Sequence, residues 1–551
     1  MKKALAGEET KIFIAYLLTS IAGGYILSHW LIDSIFTNAD AYAPIQQAKT
    51  LIQGQANLFD IHLARIPSLF PDLAILSSIT LLFPSKGGLD LLSIYGWIYS
   101  TLLLFFSSYF IKEAIAPKRK PLLEPLSITL ISISLLVISP TARDAYGHML
   151  TPAHHGGNIL NTIIFLFLTL KLIRNHRSKV VLVLFFALVI AGVASNKLFI
   201  FTGLIPSTYL LLRQKLNKKI LGTLTLMTVI GWGIGSSLNA QCSPEISVNI
   251  PTTLAAIKQY WLNYGSINIA SLLSIASLGI IFSLRNKKNK SDLILGANLE
   301  AALIAISISC LTFYIYVIFL SGIGVNIRYA LMFFASMPIF ISLLIHTFST
   351  SQKDYWLIGL IGLLVSIIYK PGYVAQKITQ IKRDRDPIYE LMRSRHFKST
   401  RGLNTAIKFI KEKNLKSSVG FSDYWGAGIA LESNSKLSIF PLHSSGEPDY
   451  WSLSPETLIN GMNPNQEKFF VISRDKDFLE NIKQSLGSPL EHWGFNPTTK
   501  RYQPLTAFNH QASKTMQLLI YKDNATIKRI AKHARLFKRN CDRHSPLHRV
   551  R

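Results

Sequence analysis

The sequence has little cysteine, and the cysteines it has show no metal-ligand spacing. Cys242, Cys310 and Cys541 lie far apart in a chain of 551 residues. Cys310 falls inside an apolar run and is expected to be an ordinary packing residue. A bridge between Cys242 and Cys541 is compatible with an oxidising compartment, but the pattern alone does not predict one.

Acidic residues are also scarce. The chain has 30 Asp and Glu against 58 Lys and Arg, a formal net charge of +28. The basic residues lie mostly in short clusters between apolar runs, which is typical of membrane loops rather than of a nucleic-acid surface. With 49% hydrophobic residues and a mean hydropathy of +0.29, the chain is too apolar for an ordinary soluble protein. We therefore expect a membrane protein with no nucleic-acid partner.

Long apolar runs recur over the first two thirds of the chain. The first follows Lys2, Lys3 and Lys11 and is long enough to remain as a span rather than be cleaved as a signal peptide. Lys and Arg gather in alternate loops, which predicts a cytoplasmic N-terminus and a long outer loop over residues 33–88. The expected spans are Ile12–Ile32, Leu89–Ile111, Leu122–Ser139, Asn158–Ile173, Val180–Ala194, Leu198–Leu212, Ile220–Leu238, Ile267–Leu284, Leu293–Leu320, Tyr329–Thr347 and Tyr355–Tyr369.

One apolar stretch is too short to be counted with these spans. Leu73–Phe83 falls well below the roughly 20 residues that a spanning helix needs. Counting it would also move every later basic cluster to the outer side. We interpret it as a helix that lies at the outer interface.

The last third of the chain has soluble patterning. Leu403–Leu415 has the spacing of an amphipathic helix. Helix-like stretches alternate with short strand-like runs after it, which favours an α/β domain; the strand-like runs are Val419–Phe421, Lys436–Phe440, Phe469–Ile472 and Leu518–Tyr521. The predicted fold is an all-α polytopic membrane domain of about 11 transmembrane helices over residues 1–370. An extracytoplasmic α/β domain follows over residues 371–525. Residues 526–551 form a basic tail, expected to be a helix lying on anionic lipid.

Two acids in the first outer loop are candidate functional groups, because carboxylates beside a bilayer are costly unless they are used. Asp40 follows the first span and precedes a turn predicted at Tyr42-x-Pro44. A carboxylate there can act as a general base towards a hydroxyl; the alternatives are a helix cap or a solvated loop acid. Asp72 precedes the interfacial helix, where it either caps that helix or contacts a substrate or metal.

Two outer segments carry candidate phosphate-binding groups. The first is a predicted outer loop that contains Arg143–His148 and then His154 and His155. His154 and His155 precede a glycine pair that opens a helix, and free N–H groups at a helix N-terminus suit phosphate. Lys197 lies between two apolar runs at the same predicted face. It either holds a phosphate or extends to the interface as an anchor.

Two further segments complete the set of candidate binding residues. Arg328 and Tyr329 begin a span from outside, where an arginine can grip a phosphate bidentately or simply anchor the helix. In the soluble part, Asp423 ends a strand before Tyr424 and Trp425. A carboxylate beside aromatic rings suits a sugar, although Asp423 equally suits a helix cap.

Taken together, these motifs resemble a group of bacterial multispanning proteins related to the GT-C-type, polyprenyl-phosphate-sugar-dependent membrane glycosyltransferases. The likeness covers nearly the whole chain in order, but each motif is short. It is carried by Asp40-x-Tyr42-x-Pro44, Phe70-Pro71-Asp72, His154-His155, Ala194-Ser195-Asn196-Lys197, Arg328-Tyr329 and Asp423-Tyr424-Trp425.

The resemblance implies an inverting transfer of a sugar from a polyprenyl-phosphate donor to an extracytoplasmic glycan or lipid acceptor, in a bacterial cytoplasmic (inner) membrane. By analogy Asp40 is the base, and Arg328, with Lys197 or the histidines, holds the donor phosphate. The first loop has no adjacent Asp-x-Asp pair, so a divalent cation is left open. Two alternatives stay open as well: a transporter or flippase of lipid-linked sugars, and a non-catalytic membrane scaffold.

Overall fold

The structure is mostly helical, with a single mixed sheet near the C-terminus. It is a computed structural model. It describes residues 2–31, 39–58, 68–115, 124–153, 155–175, 178–213, 218–238, 301–310, 331–348, 403–415, 419–423, 437–449, 467–473, 475–496, 501–505, 516–522 and 524–544, with 426, 458–459, 462 and 499 between them. Statements about structure below concern these residues.

Twelve α-helices make up the helical region in the described part of residues 2–348. Helix α4 packs between α1 and α7, and α8 packs between α7 and α10. Their bounds are α1 Lys2–Trp30, α2 Ala39–Ile52, α3 Ala74–Leu82, α4 Gly88–Ala114, α5 Glu124–Ile138, α6 Pro140–Met149, α7 Gly156–Arg174, α8 Lys179–Ser195, α9 Ile205–Arg213, α10 Lys218–Leu238, α11 Ala301–Cys310 and α12 Leu331–Phe348.

Among the described residues, four helices are long and apolar enough to cross a membrane: Glu9–Trp30, Gly88–Ala114, Gly156–Arg174 and Lys219–Leu238. Each coincides with a predicted span. Five other predicted spans coincide with shorter apolar helices, namely α5, α8, the segment Ile200–Arg213, α11 and α12. Two predicted spans, Ile267–Leu284 and Tyr355–Tyr369, lie outside the described residues.

Two segments predicted to be loops are helical, and those predictions were wrong. The turn expected at Tyr42-x-Pro44 lies inside α2, which tolerates Pro44 within its length. The segment Arg143–His148 lies inside α6, which begins with Pro140 and is capped by the Ser139 hydroxyl, acceptor of the Ala142 N–H at 3.2 Å. Both helices are short and partly polar, so neither shows the apolar run from which helices are predicted in a membrane protein.

The sheet has six strands in the order β2-β1-β3-β6-β4-β5. Strand β1 is parallel to both β2 and β3, and the remaining neighbours are antiparallel. The strands are β1 Gly420–Ser422, β2 Ile439–Pro441, β3 Phe469–Ser473, β4 Glu491–Asn496, β5 Arg501–Pro504 and β6 Gln517–Tyr521. Four of them match the strand-like runs in the sequence, whereas β4 and β5 were not predicted, because both are mostly polar or half-exposed.

Three helices belong to the C-terminal region: α13 Leu403–Glu412, α14 Lys476–Leu486 and α15 Asn524–His544. The basic tail is therefore largely helical, and α15 starts at Asn524. Its apolar side, with Ile527, Ile530 and Ala534, joins one core with Phe421 and Phe469 of the sheet. The α/β character predicted for the end of the chain is confirmed. Contact of α15 with anionic lipid stays a prediction.

Candidate functional site

A wide, irregular turn, Leu69–Leu73, brings distant parts of the helical region together. The N–H of Ser68 donates to the Ser195 carbonyl at 3.1 Å, and the N–H of Phe70 donates to the Ser195 hydroxyl at 2.8 Å. The Asn161 side-chain amide donates to the Phe70 carbonyl at 2.9 Å. The turn is therefore bonded to the C-terminal end of α8 and to the first turns of α7.

The wide turn buries Asp72 at the centre of this junction. Its side chain is 1% exposed. One carboxylate oxygen accepts the Tyr95 hydroxyl at 2.7 Å, and the other accepts the Ala153 N–H at 3.1 Å. Burial raises the pKa of Asp72 to about 6, against the opposing effect of hydrogen bonds from Tyr95, Ala153 and Ser68.

The expectation that Asp72 caps the interfacial helix is wrong. Helix α3 begins at Ala74 after Leu73, and no side chain bonds to its free N–H groups. The carboxylate is turned inward instead, to α4 and to the segment before α7. Helix α3 itself is nine residues long and ends with Leu81 and Leu82 exposed. Its position at a membrane interface stays a prediction.

The first turn of α7 faces this same carboxylate. A Cβ atom on Gly157 would lie 2.6 Å from the nearer Asp72 carboxylate oxygen and 2.8 Å from the Pro71 ring. Asp72 thus takes up the negative-charge position that a helix N-terminus favours. The glycine pair was expected to receive a phosphate, but in this structure it makes room for an internal acid.

His155 and Lys197 lie at the edge of the junction. His155 precedes α7 in a left-handed conformation, and its Nδ1 is 3.2 Å from the side-chain nitrogen of Asn196. Lys197 is half-buried, with its ammonium 4.4 Å from the centre of the Trp232 ring. The structure therefore brings His155 and the Ser195–Lys197 segment to one end of the helices, next to the wide turn.

Asp40 lies in the first turn of α2 and is half-buried. It is the second residue of the helix, so it is neither a cap residue nor part of the wet loop that the sequence suggested. Helix α2 packs against α3, α4 and the wide turn. The helix that carries Asp40 and the turn that carries Asp72 are therefore direct neighbours.

Sequence reasoning missed two asparagines in this region. Asn158 and Asn161 are 3% and 1% exposed and lie on α7, three residues apart. The side-chain oxygen of each has no hydrogen-bond partner among the described residues. Their position in an apolar helix was the only available signal, because buried carboxamides normally satisfy both ends.

Asp423 lies far from this group along the chain, directly after β1. One carboxylate oxygen accepts the Ser422 hydroxyl at 3.0 Å and the Gly426 N–H at 3.2 Å, and the Ser473 hydroxyl also donates to the carboxylate. Burial raises the pKa of Asp423 above its usual value. The acid joins the carboxyl ends of the neighbouring parallel strands β1 and β3.

Three predicted site residues, His154, Arg328 and Tyr329, lie outside the described residues. Among the residues that are described, no group of three or more His, Cys, Asp or Glu side chains is arranged to hold a metal ion. Comparisons with protein-family models, curated proteins and solved structures find no match for this chain. The site must therefore be interpreted from its own geometry.

Proposed function

We propose that this protein is an integral membrane glycosyltransferase of the GT-C type, with the remaining predicted spans completing a bundle of about 11 helices. It transfers a sugar from a polyprenyl-phosphate donor to a glycan or lipid acceptor on the outer side of a bacterial inner membrane. The single observation that carries the proposal is the junction at the wide turn, where segments with an acid, a lysine and a histidine meet at one end of apolar helices.

The proposed reaction needs three groups in three places. The acceptor hydroxyl attacks the anomeric carbon, the bond from that carbon to the phosphate oxygen breaks, and the polyprenyl phosphate leaves. Asp40, half-buried in α2, takes the hydroxyl proton as general base. Lys197, His155 and Arg328 stabilise the negative charge that develops on the leaving phosphate.

Asp72 has a different role in this proposal from the substrate contact first expected. Its carboxylate is almost completely buried and its oxygens are bonded to Tyr95 and Ala153. We assign it to holding the wide turn against α7, so that α2 and Lys197 keep their positions. Asp423 remains a proposed acceptor-side contact, and a divalent cation is not required by these steps.

A contact between α2 and the C-terminal sheet supports the proposed topology. The backbone N–H of Ile439 in β2 faces the Tyr42 hydroxyl of α2, and both residues belong to one apolar cluster. The two residues must therefore lie on the same side of the membrane, as they do if residues 33–88 and the C-terminal domain are both extracytoplasmic.

The test is transfer by the purified protein in lipid nanodiscs. Polyprenyl-phosphate sugars are supplied with candidate acceptors, and the product is measured by mass spectrometry. We expect Asp40→Asn to lower kcat by at least a hundredfold, the lower range for loss of a general base. Wild-type turnover in Asp40→Asn would exclude Asp40 as the base.

Asp90→Asn is the matched control. Asp90 is also a half-buried acid in the first turn of a helix, α4, but it has no part in the proposed reaction. Its substitution should leave transfer unchanged. An equal loss in both variants would mean that acids in first turns act only through stability.

A further inference from the structure

Strand β2 forms one edge of the sheet, and only some of its backbone N–H groups face its neighbour β1. The N–H of Gly420 donates to the Ser438 carbonyl at 2.9 Å, and the N–H of Leu442 donates to the Ser422 carbonyl at 2.8 Å. In a parallel pair the N–H groups that face the neighbour alternate along the strand. The N–H groups of residues 440 and 442 therefore face β1, and those of residues 439 and 441 face outward.

The outward edge of β2 has only one hydrogen-bond donor. Position 441 is proline, which has no N–H. The remaining donor, the N–H of Ile439, faces the Tyr42 hydroxyl of α2. Exposed strand edges are prone to unwanted pairing, and proteins protect them with proline or by covering them. In β2 both kinds of protection occur within three residues, since position 441 is proline and α2 covers position 439.

Tyr42 is built into the contact from the helix side as well. It is 4% exposed, and the Gln46 side chain donates to the same hydroxyl from one turn further along α2. Ile439 is completely buried and belongs to the same apolar cluster as Tyr42. The contact is therefore a packed junction with a polar centre.

The geometry of α2 relates this junction to Asp40. Residues two positions apart on an α-helix are rotated by about 200° around its axis, so the side chains of Asp40 and Tyr42 lie on opposite sides of α2. The sheet thus holds α2 from the side opposite the acid. Both residues belong to the first two turns of the helix, where a helix end frays unless it is held.

We infer that the edge of the C-terminal sheet docks on Tyr42 and makes it a positioning residue for Asp40. The docking stands on the contacts alone, whereas the effect on Asp40 rests on the proposed function. The C-terminal domain would then be part of the active enzyme: its edge strand fixes the orientation of the helix that presents the base.

The docking is tested by hydrogen–deuterium exchange of the full chain in nanodiscs, followed on peptides that cover residues 437–442. Tyr42→Phe removes the acceptor and keeps the ring. We expect exchange at Ile439 to become about tenfold faster, the effect of losing one hydrogen bond. Tyr521→Phe is the control, because the Tyr521 hydroxyl is buried in the same sheet and has no hydrogen-bond partner among the described residues. Unchanged exchange in Tyr42→Phe would overturn the docking.

A second variant approaches the contact from the sheet side. Ile439→Pro removes the donor at an edge position that tolerates proline. If the two groups act as one contact, the double variant with Tyr42→Phe should lower turnover no further than the more affected single variant. Additive losses would show that the two residues act independently and would overturn the inference.

The positioning role needs a readout that general destabilisation would not give. We expect Tyr42→Phe to lower kcat about tenfold with the KM for the donor unchanged, because the base is displaced while the donor site is intact. Faster exchange with unchanged kcat would overturn positioning but leave docking. If the wild type transfers no sugar at all, the proposed function fails, and exchange alone decides the docking.

Discussion

Two aspartates, Asp72 in the helical region and Asp423 in the sheet region, show how differently the two parts of this chain are held together. Asp72 is almost completely buried and accepts hydrogen bonds from Tyr95 and from Ala153, 23 and 81 residues away. Asp423 is half-buried and accepts from Ser422 beside it, from Gly426 three residues on and from the Ser473 hydroxyl of β3.

The difference is one of sequence distance and of access to water. Two of the donors around Asp423, Ser422 and Gly426, belong to its own turn, and the third, Ser473, lies at the end of the neighbouring strand β3. The donors around Asp72 belong to α4 and to the segment before α7. Tyr95 and Asp72 are almost completely buried, so water does not replace their hydrogen bond if it is broken. The helical region is therefore the more sensitive of the two to loss of a single carboxylate.

The largest effect is expected from Asp72→Ala. It leaves the Tyr95 hydroxyl and the Ala153 N–H without an acceptor in a dry site and opens a small cavity, for a cost of about 3–5 kcal/mol. Asp423→Ala should cost about 1–2 kcal/mol, because Asp423 itself is half-buried and water can take the place of its carboxylate. Both costs are measured by thermal unfolding in detergent. Hydrogen–deuterium exchange follows the helical region and the sheet region separately. A larger loss in Asp423→Ala would reverse the comparison.

The next effect is a pH dependence with an unusual sign. Because burial raises the pKa of Asp72 to about 6 from an ordinary 3.8, the folded state binds a proton more tightly than the unfolded state. The stability that Asp72 contributes is complete at low pH, falls as pH rises from about 4 to about 6, and is constant above. The change is about 3 kcal/mol, from about two pH units at 1.36 kcal/mol each.

This pH dependence is measured as the difference in unfolding free energy between the wild type and Asp72→Asn from pH 4 to pH 7. The asparagine cannot titrate, so the difference isolates Asp72 from all other groups. A wild type that gains stability over the variant as pH rises would mean that the carboxylate is better solvated by its three donors than its burial implies.

A smaller effect is expected at Gly157, on the helix side of the same junction. The Cβ atom of Gly157→Ala would lie 2.6 Å from an Asp72 carboxylate oxygen, and the strain of such overpacking costs about 1–3 kcal/mol. Gly233→Ala in α10 is the control, because an added Cβ there meets no atom within 4 Å. Equal unfolding temperatures for the two variants would show that Asp72 is free to move away.

These residues also show what the sequence predicts and what it does not. The apolar runs predict α1, α4 and α7 because burial in an apolar medium depends on composition. Two of the partners of Asp423, Ser422 and Gly426, lie within three residues of it, so this local motif is visible in the sequence, whereas its bond with Ser473 is not. The bonds of Asp72 depend on how α4 and α7 pack. Helix α2 was read as a loop because its apolar residues are largely alanines interrupted by polar residues, and they do not form a long run. Ala39–Ile52 therefore becomes helical through tertiary contacts rather than through pattern.

The smallest effect is expected at an ion pair whose partners are distant in sequence but partly exposed. It therefore distinguishes the influence of sequence distance from that of burial. Lys413 and Glu491 are 78 residues apart, with the ammonium 2.6 Å from the carboxylate, but their side chains are 30% and 31% exposed. The hydrogen bond from Lys413 lowers the pKa of Glu491, so the pair stabilises the fold above the usual pKa of glutamate and loses its effect as pH falls. Lys413→Ala should cost at most about 1 kcal/mol, and Glu491 still accepts the Trp493 indole N–H at 2.7 Å. If Lys413→Ala destabilises the protein as much as Asp72→Ala does, then bonding between distant parts of the chain, and not burial, makes Asp72 critical. We expect the opposite, because the side chains of Lys413 and Glu491 are partly exposed and that of Asp72 is not.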